Sequence, residues 1–239
     1  MLESGLINEM MEYDRSNVMF APEGRLIQVE YAKKTVNQGS ITIGFVVKDA
    51  VFIVADKRTT KELMLVKGTE KIMQVDEHIG AAMSGLISDG RILIETAQSY
   101  AQDHRIMYDT PIDVLSLVKY ICSFKQAYTQ FGGYRPFGVS LMIAGFDDKP
   151  RLFVTEPSGI YFGYKATAIG ERDEKVKVLI RKYYKENLDL QEGLKIALKI
   201  LSKTVEKFSI NKVDAIYITD KKQFKKISVK ELKKVFSEK

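Results

Sequence analysis

Apolar positions along this chain recur first at helical and then at strand spacing, and the switches between the two periods lay out its elements. From Arg25 to Val36 they fall at Leu26, Val29, Ala32 and Val36, with Pro22-Glu23-Gly24 as a start signal and Gly39 as a stop. Runs rich in Ile, Val and Phe follow at Ser40–Val47 and Ala50–Ala55, with Lys48-Asp49 as a tight turn. A second hairpin is predicted from Glu70–Val75 and Ile79–Met83 across Asp76-Glu77-His78. The helical period then returns twice. Leu86, Gly90, Leu93, Ile94, Ala97 and Ala101 form one stripe; Ile112, Leu115, Val118, Ile121, Cys122 and Lys125 form the next, entered through Thr110-Pro111. Strands are predicted at Val139–Ala144, Arg151–Thr155, Ile160–Tyr164 and Ala166–Ile169, and helices at Lys175–Lys185 and Leu190–Phe208. The chain closes with a strand at Val213–Thr219, a short one at Gln223–Lys225 and a helix at Val229–Phe236.

Strands, a helix pair, strands and another helix pair define an α+β class in which helices cover the outer faces of two mainly antiparallel sheets. No low-complexity linker and no internal repeat interrupts the pattern, so one domain over residues 1–239 is expected. Composition changes this picture little: 45% hydrophobic and 28% charged residues suit a globular chain with a sizeable core. A lone cysteine, Cys122, excludes an internal disulfide framework and offers no cluster for zinc, so core packing is its expected role. No metal site and no cofactor is expected. No run reaches membrane-spanning length, and the acidic start MLESGLINEMMEYD does not read as a signal peptide, so a soluble cytoplasmic protein is expected.

Charge is uneven. The net +6 divides into 19 Lys+Arg against 11 Asp+Glu from Glu171 onward, and 18 against 20 before it. Lys195, Lys199, Lys203 and Lys207 recur every fourth residue, the pattern of a solvated helix face. With no zinc finger, phosphate loop or RNA-binding aromatic motif beside it, nucleic acid is not the expected partner.

Several motifs carry a resemblance. Tyr13-Asp14-Arg15, Phe20-Ala21-Pro22-Glu23-Gly24-Arg25-Leu26 and Gln28-Val29-Glu30-Tyr31-Ala32 stand near the start. Further on come Glu70-Lys71-Ile72, Ser84-Gly85-Leu86, Tyr128-Thr129-Gln130, Arg135-Pro136-Phe137-Gly138-Val139-Ser140 and Tyr164-Lys165-Ala166-Thr167-Ala168-Ile169-Gly170. In this order, over residues 13 to 236, they resemble proteasome α-type subunits of the archaeal kind. The resemblance implies a four-layer αββα sandwich like that of N-terminal nucleophile hydrolases, with an extra N-terminal helix over 22–37. It also implies a seven-membered outer ring, here of identical copies, stacked on β subunits. Such a ring admits unfolded protein substrates and docks an AAA+ regulatory ATPase or another activator, without cutting peptide bonds itself.

An active N-terminal hydrolase processed at Ser40 is the competing expectation. That chemistry needs a hydroxyl on a residue whose own α-amino group is free. Gly39-Ser40-Ile41-Thr42 supplies a hydroxyl after a glycine, and Asp56 and Lys71 match carboxylate and lysine positions of the catalytic set. Against it, a capped amphipathic helix precedes Ser40. Gly170-Glu171-Arg172 also lacks the supporting serine, and Tyr217 stands where a small hydroxyl residue is expected. No catalytic residue is therefore assigned. The resemblance implies a mobile gate tail over residues 1–12 whose root is held by Tyr13, Asp14, Pro22 and Tyr31. It also implies a pocket between neighbouring subunits for an activator's C-terminal tail, lined by Lys71, Gly24, Glu30 and Gly85. Lys33 replaces the arginine common at its position. His78 and His104, lacking partners at ligand spacing, are expected at the surface.

Overall fold

A computed structural model describes residues 18–57, 70–221 and 223–237. Among them the chain forms ten strands in two five-stranded sheets, flanked by helices. The first sheet has the order β10-β9-β2-β1-β8, built from β1 (Thr42–Val47), β2 (Ala50–Asp56), β8 (Ala166–Ile169), β9 (Val213–Thr219) and β10 (Phe224–Lys226). The second runs β3-β4-β5-β6-β7, from β3 (Ile72–Asp76), β4 (Ile79–Gly85), β5 (Val139–Phe146), β6 (Pro150–Thr155) and β7 (Tyr161–Gly163). Every pairing is antiparallel.

Alternation along the strands explains the layering. In β2, Val51, Ile53 and Ala55 point at the other sheet and meet Met142, Ala144, Leu152 and Val154, while Phe52 and Val54 point outward to the helices. Phe45 and Phe52 stack at 5.3 Å between centroids on that outer face, and burying each ring contributes about 2–3 kcal/mol. This face is covered by α4 (Asp173–Tyr183), α5 (Leu190–Thr204) and α6 (Val229–Ser237). The opposite sheet is covered by α2 (Ile87–Tyr108) and α3 (Val114–Ala127). The result is the predicted α+β sandwich, helix–sheet–sheet–helix.

The N-terminal helix α1 spans Ile27–Gln38, not 22–37; Ala21 to Gly24 form a turn, because Gly24 N donates to Ala21 O and Gly24 adopts φ +75°. It lies against β4 and β5 through Val29, Ala32 and Val36. Other bounds shift at frayed ends: β1 begins at Thr42 rather than Ser40, and α5 stops at Thr204 rather than Phe208. Three residues sit otherwise than expected. Leu86 precedes α2 and is 40% exposed, and Leu115 lies off the buried stripe of α3, which runs Val114, Leu117, Val118, Ile121, Cys122 and Lys125. His78 is buried rather than superficial, with Nε2 2.7 Å from Ile112 O and Nδ1 3.6 Å from Asp76 Oδ2. The loop before α3 folds over the β3–β4 turn and encloses the ring. His104 remains partly exposed, with Nδ1 3.1 Å from Thr110 O.

Two polar contacts made by α3 and the loop after it depend on partners far along the chain. Lys125 is wholly buried, donating from Nζ to Val139 O at 2.9 Å and Thr155 Oγ1 at 3.1 Å. Arg135, in the glycine-rich loop after α3, clamps Asp89 in the first turn of α2 with two parallel hydrogen bonds of 2.6 and 2.7 Å; Asp89 also accepts from Gly138 N at 2.9 Å. The guanidinium and these hydrogen bonds hold the Asp89 carboxyl below the ordinary carboxylate range, against burial, which pushes it up. The loop is thus fixed to the start of α2.

Candidate functional site

At Gly39-Ser40 the chain leaves α1 and enters the first sheet. There three backbone segments cross at close range: this one, the end of β4 at Ser84-Gly85, and the end of β8 at Gly170. A Cβ on Gly39 would overlap Ser84 Oγ and Gly85 N. One on Gly170 would lie 2.6 Å from Ser40 O and 2.7 Å from Ser84 Oγ. Gly85 and Gly170 also have φ of +116° and +104°, which L-residues rarely adopt. Glycine is required at this crossing on both counts. The segments are then tied together: Glu171 N donates to Gly39 O at 2.7 Å, and Ser84 Oγ donates to Val36 O at 3.2 Å.

Ser40 sits in the middle of this crossing. Its Oγ donates to Asp56 O at 2.8 Å and accepts from Lys71 Nζ at 2.6 Å. Lys71 also donates to Ser40 O and to Ile41 O, the latter at 3.1 Å. Ser40 and Lys71 therefore meet, and Asp56 joins them through its main-chain carbonyl rather than its carboxylate; in the unprocessed chain Ser40 N lies in the peptide bond to Gly39. In that form Ser40 lacks the free α-amino group that N-terminal nucleophile chemistry requires. Arg172 turns away from Ser40: it pairs with Glu206 and donates to Thr204 O at 3.1 Å. Asp214 pairs with Lys57. Tyr217 lies in β9 opposite Phe52 and Lys225.

The other candidate residues fall in two places. Lys71 and Gly85 both face the Gly39-Ser40 stretch. Glu30 is in the first turn of α1 and Gly24 precedes it, so helix length alone puts Glu30 about 13 Å from Gly39. A Cβ on Gly24 would meet nothing within 4 Å. Pro22 and Tyr31 are exposed, with Lys34 Nζ 5.1 Å from the Tyr31 ring centroid. Tyr13, Asp14 and the expected tail over 1–12 lie outside the described residues. Lys33 pairs with Glu156 at 3.3 Å. Sequence reasoning missed Gly39, Ser84 and Gly170 as a unit; the signal was a set of three glycines, Gly39, Gly85 and Gly170, each at the end of a predicted helix or strand. Among the described residues no group of His, Cys, Asp and Glu could hold a metal, and no helix is long and apolar enough to cross a membrane.

Two five-stranded antiparallel sheets between helix layers, with a helix placed ahead of the first strand, define the class: an N-terminal-nucleophile-type fold carrying a leading helix. Comparison with known proteins narrows it. The family model described as "Proteasome subunit" matches residues 36–218, and the model for the N-terminal signature of the A-type proteasome subunits matches residues 13–34. The chain is 48% identical over 225 residues to the proteasome alpha subunit of Methanocaldococcus jannaschii, covering 93% of this chain and 86% of that one. It is 43% identical to the Pyrococcus abyssi protein of the same name and 41% to that of Thermococcus gammatolerans, each over 95% of this chain and 87% of the relative. This chain belongs to the proteasome subunit family, and within it to the alpha type.

Proposed function

We propose that this chain is a non-catalytic wall subunit of a 20S proteasome, and that the Gly39–Lys71–Gly85 crossing docks a partner's C-terminal tail. The observation that carries the docking reading is Lys71. Its ammonium lies at the strand entry within reach of four oxygens, Ser40 O and Oγ, Ile41 O and Asp56 O, beside a backbone crossing built on glycines. A terminal carboxylate reaching it would form a charge-assisted hydrogen bond of about 1.5–3 kcal/mol. Glu30 in the first turn of α1 and Gly24 before it lie toward the end of that helix opposite Gly39, which supports a pocket completed by a neighbouring copy in a ring. Tyr13, Asp14, Pro22 and Tyr31 are proposed to hold the root of the gate tail, β subunits to stack beneath, and an AAA+ ATPase to supply the docking tails.

The test uses assembled particles containing this chain and a peptide ending in a free carboxylate that stimulates substrate entry. Lys71→Met is expected to weaken binding of that peptide roughly 10- to 100-fold, and amidating the peptide's C-terminus should cost as much in wild type. If amidation has no effect while Lys71→Met particles stay assembled, the docking role is wrong. The competing hydrolase reading turns on processing. Intact mass of the purified, assembled protein is expected to show Ser40 still joined to α1. A species beginning at Ser40, with peptidase activity lost in Ser40→Ala, would reverse the assignment.

A further inference from the structure

Five lysines here form ion pairs with acidic side chains: Lys33 with Glu156, Lys57 with Asp214, Lys165 with Glu186, Lys177 with Asp173 and Glu174, and Lys226 with Glu70. Three others gather around one aromatic ring instead. Lys182 of α4 and Lys199 and Lys203 of α5 converge on the Tyr183 ring, 5.9, 5.4 and 5.2 Å from its centroid. Lys203 Nζ also reaches the Tyr183 hydroxyl at 3.1 Å, and these ammoniums hold the phenol below its ordinary range. Among the described residues none of the three lysines forms an ion pair.

The carboxylates on the surrounding elements are engaged elsewhere. Glu186 pairs with Lys165, Glu206 with Arg172, Asp173 and Glu174 with Lys177, and Glu192 caps α5 through Asp189. Like charges one helical turn apart, as at Lys199 and Lys203, destabilise a helix unless an anion lies between them. The face is also shaped. Gly193, Leu194, Ala197, Leu198 and Leu201 bury the other side of α5, so the stripe Lys195, Lys199, Lys203 points outward over about 12 Å. Beside it Val178, 59% exposed and one turn before Lys182, adds an apolar contact.

We infer that this α4–α5 face is a docking surface for an acidic helical segment of a partner protein. Carboxylates every fourth residue on such a helix would match the lysine spacing, and an apolar residue beside them would cover Val178. The three ammoniums lie within about 6 Å of the Tyr183 centroid and compete with bases for that ring, which disfavours single-stranded nucleic acid. The proposal is independent of Lys71 and of any gate.

The test titrates the full-length protein with a labelled helical peptide bearing glutamates at every fourth position, at 50 and 200 mM salt. Saturable binding is expected at low salt, at least about ten-fold weaker at high salt. The triple variant Lys182→Glu, Lys199→Glu, Lys203→Glu should lose it by a similar factor, while Lys→Arg at the same three positions should retain it. A peptide with glutamine in place of glutamate should not bind. Absence of saturable binding at 50 mM salt, or equal binding by the charge-reversed variant, would overturn the inference. So would tighter binding of polyphosphate or of a single-stranded oligonucleotide than of the peptide, which would reassign the face to another polyanion.

Discussion

Gly85→Ala is expected to destabilise the fold by more than about 3 kcal/mol, a drop in Tm of roughly 6–12 °C for a chain of this size. The position fails an alanine twice. At φ +116° the backbone is in a region closed to a Cβ, and the Cβ itself would overlap Gly138 O, a backbone atom that cannot rotate away. Shifting Gly138 would in turn disturb its hydrogen bonds to Asp89 and Leu86, and with them the clamp on the glycine-rich loop. Gly24→Ala is the internal comparison. Its φ of +75° also disfavours alanine, yet nothing lies within 4 Å of the added carbon, so a cost of about 1 kcal/mol is expected. Thermal and urea unfolding of both variants checks this; similar losses for the two would show that the crossing is looser than the distances imply.

The second large effect concerns Lys125. Burial pushes its ammonium down from the ordinary lysine value to about 7, against the opposing pull of the Glu156 charge, while burial pushes the Cys122 thiol up to about 11. The sign follows from proton counting. Between pH 7 and the unfolded value of 10.5 the unfolded chain holds a proton on this group that the folded chain has lost. Stability from this group therefore rises with pH across that window, and the penalty for burying it is complete below pH 7. Lys125→Met keeps the volume and removes the charge. At pH 6.5 the variant is expected to be more stable than wild type, by up to the order of 4 kcal/mol less the two hydrogen bonds it gives up. At pH 9.5 the advantage should shrink or reverse, because neutral Lys125 still donates to Val139 O and Thr155 Oγ1. Urea midpoints at three pH values decide it. Parallel curves would mean that Lys125 stays charged in the fold, satisfied by those two oxygens.

The charge pattern of the second half reads from sequence as a solvated helix face, and Lys195, Lys199 and Lys203 do point away from the buried side of α5. Sequence could not show that Lys182 joins them from α4, since that depends on how two helices pack. The same limit applies to His78. Its neighbours Asp76 and Glu77 make a polar turn, but the loop at Ile112 that encloses it is 34 residues away.

Local chemistry determined a great deal by itself. Period-two alternation fixed which β2 side chains enter the space between the sheets, and helical spacing fixed the inner faces of α1 and α5. Tertiary structure alone decided the meetings of distant segments: Lys71 with Ser40, Gly85 with Gly138, Arg135 with Asp89, and Lys125 with Thr155. The physical reason is range. Periodicity reports whether a side chain is turned inward, whereas which polar group it finds there depends on the registers and close approaches set when the layers pack.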